Sequence, residues 1–342
     1  MGFYRFLFCC ILCLGCTTIA WPQHATNTIT IAFGSCNDQF KAQPLWDDVI
    51  AAKPDLWVWL GDNIYADTDD MQQMQRYYRH QLQHPGYKQL LQTCPVTGTW
   101  DDHDYAGDNA DKHFPHKKVS QQLFLDFMHV PDDAPVRSQE GIYRSFDLEK
   151  AGRKVKILLL DDVYHRDPLR DVLGLYLPNN KGDVLGEAQW QWLERELTNS
   201  DADIHIIASG LQVLPTSSSF TNWSAFPVAR RRLLNLIHQT DPAVPIIISG
   251  DRHVGELSKM EFPDRPYPLY EITSSGMTHY REAKRAGNRH RIGEQVGALN
   301  FGVLQISWTN NSPTITMQVR GDNGKLYLQQ THHYYSDSTT QR

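Results

Sequence analysis

Four stretches of the chain end an apolar run on residues that bind metals or move protons. "IAFGSC" delivers Cys36, and "WVWLGDNIY" delivers Asp62 and Tyr65. "VTGTWDDHD" delivers Asp101, Asp102, His103 and Asp104, and "IIISGDRH" delivers Asp251 and His253. Each reads as a buried strand that runs into a thiol, an acid or an imidazole, which is where α/β enzymes keep their chemistry. If the four strands lie in one sheet and run the same way, their ends gather a thiolate, a phenolate, several carboxylates and imidazoles. So many anions cannot all ionise side by side without cations. Two metal ions resolve the conflict, usually with one carboxylate bridging them. Paired metals about 3.5–4 Å apart clamp the oxygens of a phosphoryl transfer and lower the pKa of bound water to about 7. Taken singly, each motif has a plainer reading. Cys36 could pair with Cys94 or simply be buried, Tyr65 could be a core aromatic, and "DDHD" could be a solvated turn.

The elements that must position these residues alternate along the chain. "TITIAF", "DLWVWL", "VTGTW", "VKILLL", "IHIIASG" and "VPIIISG" read as strands. "LWDDVIAA", "MQQMQRYYRHQLQ", "VSQQLFLDFMHV", "EAQWQWLEREL" and "VARRRLLNLIHQ" read as helices between them. Val119, Leu123, Phe127 and Val130 are expected on one apolar face, and Trp190, Leu193 and Leu197 on another. The arginines of "VARRRLL" are expected on a solvated helix face. After about residue 268 the signal is mostly strand, which points to a second sheet packed on a largely parallel or mixed one. No Pro/Gly/Ser-rich linker divides the chain, so residues 27–335 are expected to form one domain.

The 342 residues are 41% hydrophobic and 21% charged, an ordinary globular composition. A net charge of −6 argues against a nucleic-acid partner. No G-x-S-x-G nucleophile elbow is present, which argues against a serine esterase. The first 20 residues read as a signal peptide: one early Arg5, an apolar run from Phe6 to Gly15, then small residues with cleavage expected after Ala20. Cys16 after Leu14-Gly15 also fits a lipoprotein site. The run is too short to span a membrane, so an exported chain with no transmembrane segment is expected. Four of the six cysteines lie in this leader, leaving Cys36 and Cys94. In an oxidising compartment two cysteines normally read as a disulfide. Here that default competes with a metal role for Cys36.

Gly34-Ser35-Cys36, Gly61-Asp62-x-x-Tyr65, Trp100-Asp101-Asp102-His103-Asp104, "LGEAQWQWLEREL" and Ser249-Gly250-Asp251-Arg252-His253 together resemble the PhoD-like alkaline phosphatases, over about residues 29–280. The resemblance implies the calcineurin-like metallophosphoesterase fold, a four-layer α/β/β/α sandwich with two mixed sheets. It also implies hydrolysis of small phosphate esters, and the chain is expected to act as a monomer. Carried over by motif, Cys36, Asp62, Tyr65 and Asp251 match the metal ligands, with Asp62 the bridge. Asp102 stands where related enzymes place the asparagine of the second metal, and His253 lies beside the metals. The metals implied are iron(III) and calcium; thiolate and tyrosinate favour the former and carboxylates the latter. His103 matches the histidine that stabilises the transition state and protonates the leaving group, with Asp104 orienting it. Two departures stand out. Val163, in Leu160-Asp161-Asp162-Val163-Tyr164-His165-Arg166, replaces an arginine of the usual pattern. "DYAGDNAD" shuffles a glycine-first segment, which leaves Asp108 and Asn109 without an assigned role.

Overall fold

The alternation within "LWVWL" sets the architecture. In the computed structural model, which describes residues 28–173, 175–216, 220–283 and 287–335, all five residues of the Leu56–Leu60 strand are buried. Because side chains alternate across a strand, Leu56, Val58 and Leu60 enter one apolar layer while Trp57 and Trp59 enter another. A strand apolar on both faces belongs to a sheet covered on both sides.

Three apolar layers follow from this rule, and they separate four layers of structure. On one outer side Trp57 and Trp59 pack with Trp46, Met74, Tyr87, Leu90 and Phe124 from helices Trp46–Ala51, Met71–Gln83, Pro85–Thr93 and Lys117–Phe127. In the middle, Ile29, Ile31, Val58 and Leu60 meet Ile157, Leu159, Ile206, Ile246 and Ile248 of a second sheet. On the far side Leu158, Ile207 and Ile247 pack against Trp190, Leu193 and Leu197 of helix Glu187–Thr198 and Leu233 and Ile237 of helix Pro227–Thr240. The α/β/β/α sandwich expected from the sequence is the fold observed.

The first sheet has the order Leu326–His333, Ser312–Arg320, Phe301–Thr309, Thr28–Gly34, Leu56–Leu60, Val96–Thr99. Its last three strands are parallel. The second has the order Arg291–Val296, Gly255–Met260, Leu269–Ser274, Pro245–Ser249, Ile204–Ser209, Arg153–Leu159, Arg144–Lys150, with four parallel strands from Leu269–Ser274 to Arg153–Leu159. The strand-rich tail is therefore not the second sheet. Its first and second members, Leu269–Ser274 and Arg291–Val296, join the second sheet, whereas the last three extend the first one as an antiparallel meander whose first strand, Phe301–Thr309, pairs antiparallel with Thr28–Gly34.

Two helix faces differ from expectation. Val119 is exposed, and the buried face of Lys117–Phe127 runs through Ser120, Gln121, Phe124 and Phe127. Ser120 donates to the Tyr105 carbonyl at 2.7 Å and Gln121 to that of Val136 at 3.0 Å. Polar residues recruited for buried hydrogen bonds thus mask the stripe. In "VARRRLL", Arg230 leaves the solvated face to bond the carbonyls of Val213 and Leu214 at 2.6 and 2.9 Å. Cys36 and Cys94 are both buried and free, so no disulfide joins them. The expected leader and Cys16 lie outside the described residues. Among the described residues no helix is long and apolar enough to cross a membrane.

Candidate metal centre

The strand ends converge, but from two sheets rather than one. Thr28–Gly34, Leu56–Leu60 and Val96–Thr99 carry Cys36, Asp62 and Asp102 at one sheet's edge, while Pro245–Ser249 brings Asp251 from the other. Glycines make the approach possible. A Cβ at Gly250 would collide with the Leu60 carbonyl oxygen and lie 2.7 Å from Ser35 Oγ. Gly61 has a φ of +90°, and a Cβ there would sit 2.6 Å from that of Asp101. The residues that follow are held in the left-handed region, with φ of 60° at Cys36, 49° at Asp62, 66° at Asp251 and 56° at His253. Such backbone costs about 1–3 kcal/mol per residue and gathers at functional sites. Four of the predicted ligands share it.

Asp62 is the hub. Its Oδ2 lies 3.5 Å from Cys36 Sγ and 3.3 Å from Tyr65 Oη. Cys36, Asp62 and His253 form one group with ligand atoms within 4.8 Å of each other, and Asp62, Asp102 and His103 form another. Asp62 is common to both. Asp251 lines the same cleft of about 250 Å³ together with Asp108, Asn109 and Tyr176.

The "DDHD" run divides by task. Asp101 caps the short Asp102–Tyr105 helix and Asp104 completes a capping box with it. The Asp104 carboxylate accepts from the backbone N–H of Asn63, Ile64 and Asp101. It is therefore not the carboxylate that orients His103. That place belongs to Asp67, whose Oδ1 lies 2.5 Å from His103 Nδ1. Asp102 faces the cleft, its oxygens bonded by the N–H of His103 at 2.9 Å and of Asn109 at 2.6 Å.

Two histidines flank the Tyr65 oxygen: His253 Nε2 at 3.1 Å and His279 Nε2 at 3.0 Å. Arg281 Nε donates to His253 Nδ1, which places the His253 proton on Nε2, pointing toward Tyr65. Thr278 Oγ1 donates to the Cys36 carbonyl, so His279 Nδ1, 3.0 Å away, is the donor of their pair. The lone pair of His279 Nε2 then faces Tyr65. Neither His279 nor Asp67 carries a spacing signal in the sequence, although Asp67 sits two residues past Tyr65.

Burial, reinforced by Asp62, pushes the thiol of Cys36 and the phenol of Tyr65 well above their ordinary pKa values. Burial also raises Asp62, against the pull of His103 and with the push of Asp102, Asp104 and Asp251. Asp251 rises to about 6 for the same first reason. This set of donors is unfavourable as free anions and favourable around cations. Asp62 Oδ1 supports the second state: it is buried without a hydrogen-bond partner among the described residues. The residues present fit a pair of metal ions. His103 is lowered by burial, but its bond to Asp67 and the nearby carboxylates outweigh that and hold it at about 10. Arg166 is fully buried behind the site, where it bonds the Ala110 carbonyl at 2.6 Å. Val163, at the departure from the arginine pattern, fills the helix-side core.

A model of the PhoD-like phosphatase family matches residues 31–300. Among solved structures, one of PhoD is similar with a TM-score of 0.71 and 17% identity, covering 92% of this chain and 73% of that one. GAP50, the anchor in the inner membrane complex of Plasmodium, is similar with a TM-score of 0.58 and 14% identity, covering 91% of this chain and 90% of its own. At such identities the structural likeness is one of fold. No curated protein matches the sequence. The family match runs from the first strand to the last turn before the antiparallel extension and takes in every motif of the cleft, and on that ground the chain belongs to the PhoD-like phosphatase family.

Proposed function

We propose that the protein is an exported, metal-dependent phosphoesterase acting on small phosphate esters. The observation that carries the reading is Asp62, one buried carboxylate common to two groups of ligand atoms. Cys36, Asp62, Tyr65 and Asp251 would hold one ion, an iron(III), and Asp62 with Asp102 a second, a calcium, with His253 bonded to the Tyr65 oxygen. When bound, the ions would supply neutralisation of the phosphoryl oxygens and acidify the attacking water. His103, charged and fixed by Asp67, faces the cleft and delivers its Nε2 proton to the departing alkoxide.

The test is made on the mature chain purified without chelators, by visible spectrum, metal content and assay of aryl phosphate mono- and diesters at alkaline pH with and without calcium. A tyrosinate-to-iron band with calcium-dependent turnover sustains the reading. A colourless, metal-free, inactive protein refutes it and leaves a recognition protein on the same fold. Mass spectrometry of the exported chain decides between cleavage after Ala20 and lipidation at Cys16.

A further inference from the structure

The cleft has a cationic wall that the chemistry above does not use. Arg252 lines it, sitting between Asp251 and His253, and its guanidinium stacks on the Phe220 ring at 3.6 Å. Arg281 lies 5.4 Å from the same ring. Arg166 and Arg230 turn to backbone carbonyls, and several other inward-turned arginines are matched by a carboxylate: Arg291 binds Glu256 at 2.8 Å, Arg153 binds Asp203 at 3.2 Å and Arg137 binds Asp126 at 2.8 Å. Arg252 is not. Among the described residues no carboxylate lies within ion-pair distance of it; Asp251 and Glu256 are the acids whose charge acts on it, and Glu256 is taken by Arg291. A half-buried guanidinium held flat by an aromatic face, without an anion and facing a cleft, is arranged to receive one.

We infer that Arg252, stacked on Phe220, is a specificity-determining residue that receives a second negative charge on the substrate, beyond the single charge a phosphodiester carries. The inference rests on the phosphoesterase reading and refines it. Ions at Asp62 and Asp102 would neutralise the first charge, and the guanidinium meets the next. That charge has two sources, the dianion of a phosphate monoester or an anionic group on the alcohol. The shared chemistry is an anion within reach of Arg252.

The experiment compares holoenzyme and Arg252→Gln on three aryl substrates: a monoester, a diester with a neutral second alcohol, and a diester with a carboxylate on that alcohol. Metal content and thermal melting are recorded for each protein. A charge-assisted contact is worth roughly 10- to 100-fold, so kcat/KM is expected to fall about that much more on one charged substrate than on the plain diester. Loss confined to the monoester assigns the charge to the phosphoryl group, and loss on the carboxylated diester assigns it to the alcohol. Equal change on all three, with metals retained, overturns the inference. Calorimetric titration with inorganic phosphate separates it from the phosphoesterase reading. If wild type hydrolyses no ester, that reading fails, yet phosphate binding at least 10-fold weaker in Arg252→Gln still sustains the subsite. Binding that is equal, or absent in wild type, overturns it. Should Arg252→Gln not fold, Phe220→Leu, which removes the stacking face, is expected to shift the same substrate ratios and the same phosphate affinity about 3- to 10-fold; unchanged values overturn the inference.

Discussion

The contact between Asp67 and His103 gives the sharpest prediction, because it is specific, testable and distinct from metal binding. Asp67→Asn keeps the size of the side chain. It also keeps the backbone, since Asp67 has a φ of 44°, a conformation asparagine adopts readily. What is lost is the charge on an oxygen 2.5 Å from His103 Nδ1. A hydrogen bond between charged partners contributes about 1.5–3 kcal/mol when shielded from water. The side chain of His103 is 17% exposed but that of Asp67 is 50% exposed, so solvent screening reduces the value to about 1–2 kcal/mol. That corresponds to a fall in kcat of roughly 5- to 30-fold. His103→Ala should fall by about two to four decades, the range that general acid–base groups supply. Metal content should not change in either variant. Because Asp67 acts through His103, adding Asp67→Asn to His103→Ala should have no further effect. The assay is steady-state hydrolysis of an aryl phosphate with a poor leaving group, where protonation of the departing aryloxide limits the rate. Wild-type activity in Asp67→Asn, or a further loss of roughly 5- to 30-fold when Asp67→Asn is added to His103→Ala, would refute the orienting role.

Asp62→Asn is expected to lose both metals by elemental analysis and to lower turnover at least a thousandfold. Chelation should lower the melting temperature of wild type and leave that of Asp62→Asn nearly unmoved; equal sensitivity would contradict a ligand role. Gly61→Ala should destabilise by about 2 kcal/mol or more, because φ of +90° and a Cβ 2.6 Å from that of Asp101 both oppose it, as denaturant unfolding would show. Burial pushes the Cys94 thiol up to about 11, so it stays protonated and slow to alkylate in the native protein through pH 9. After unfolding without reductant, both Cys36 and Cys94 should be alkylated; an unmodified pair would mean a disulfide.

How much of this was legible in the sequence depended on whether a residue's partner lay nearby along the chain. Asp62, Tyr65, Asp102, His103 and Asp251 were legible because each follows an apolar run within a few residues, and strand ends are recognisable. The pairing of His103 was not. Asp104, one residue on, is the nearer carboxylate, but the capping box turns it toward the N–H groups of Asn63 and Ile64. Asp67 reaches Nδ1 only because the chain doubles back after Tyr65, with Ala66 N–H donating to the His103 carbonyl at 3.1 Å. His279 was invisible for the same reason: it meets Tyr65 across a sequence separation of 214 residues. Periodicity failed wherever polar side chains were recruited into the core, as at Ser120, Gln121 and Arg230.

The two-sheet origin of the centre carries a further consequence. Had all the ligands come from one sheet, strand spacing of about 4.8 Å would fix their separation. Instead Asp251 reaches Asp62 across the sandwich, where stacked sheets stand about 10 Å apart. The turn after Ser249 closes that gap only because Gly250 rests on the Leu60 carbonyl and on Ser35. The left-handed backbone at Asp62 and Asp251 then aims both carboxylates into the narrowed space. Leu60 and Ile248, in the strands that lead into these two turns, pack with Ile206 in the layer between the sheets. Close-packed interiors transmit small changes of volume, so altering that layer should disturb metal affinity without touching a ligand. The inter-sheet core is thus expected to bear on the site, and its residues belong with the proposed ligands in any account of how the cleft would hold two cations.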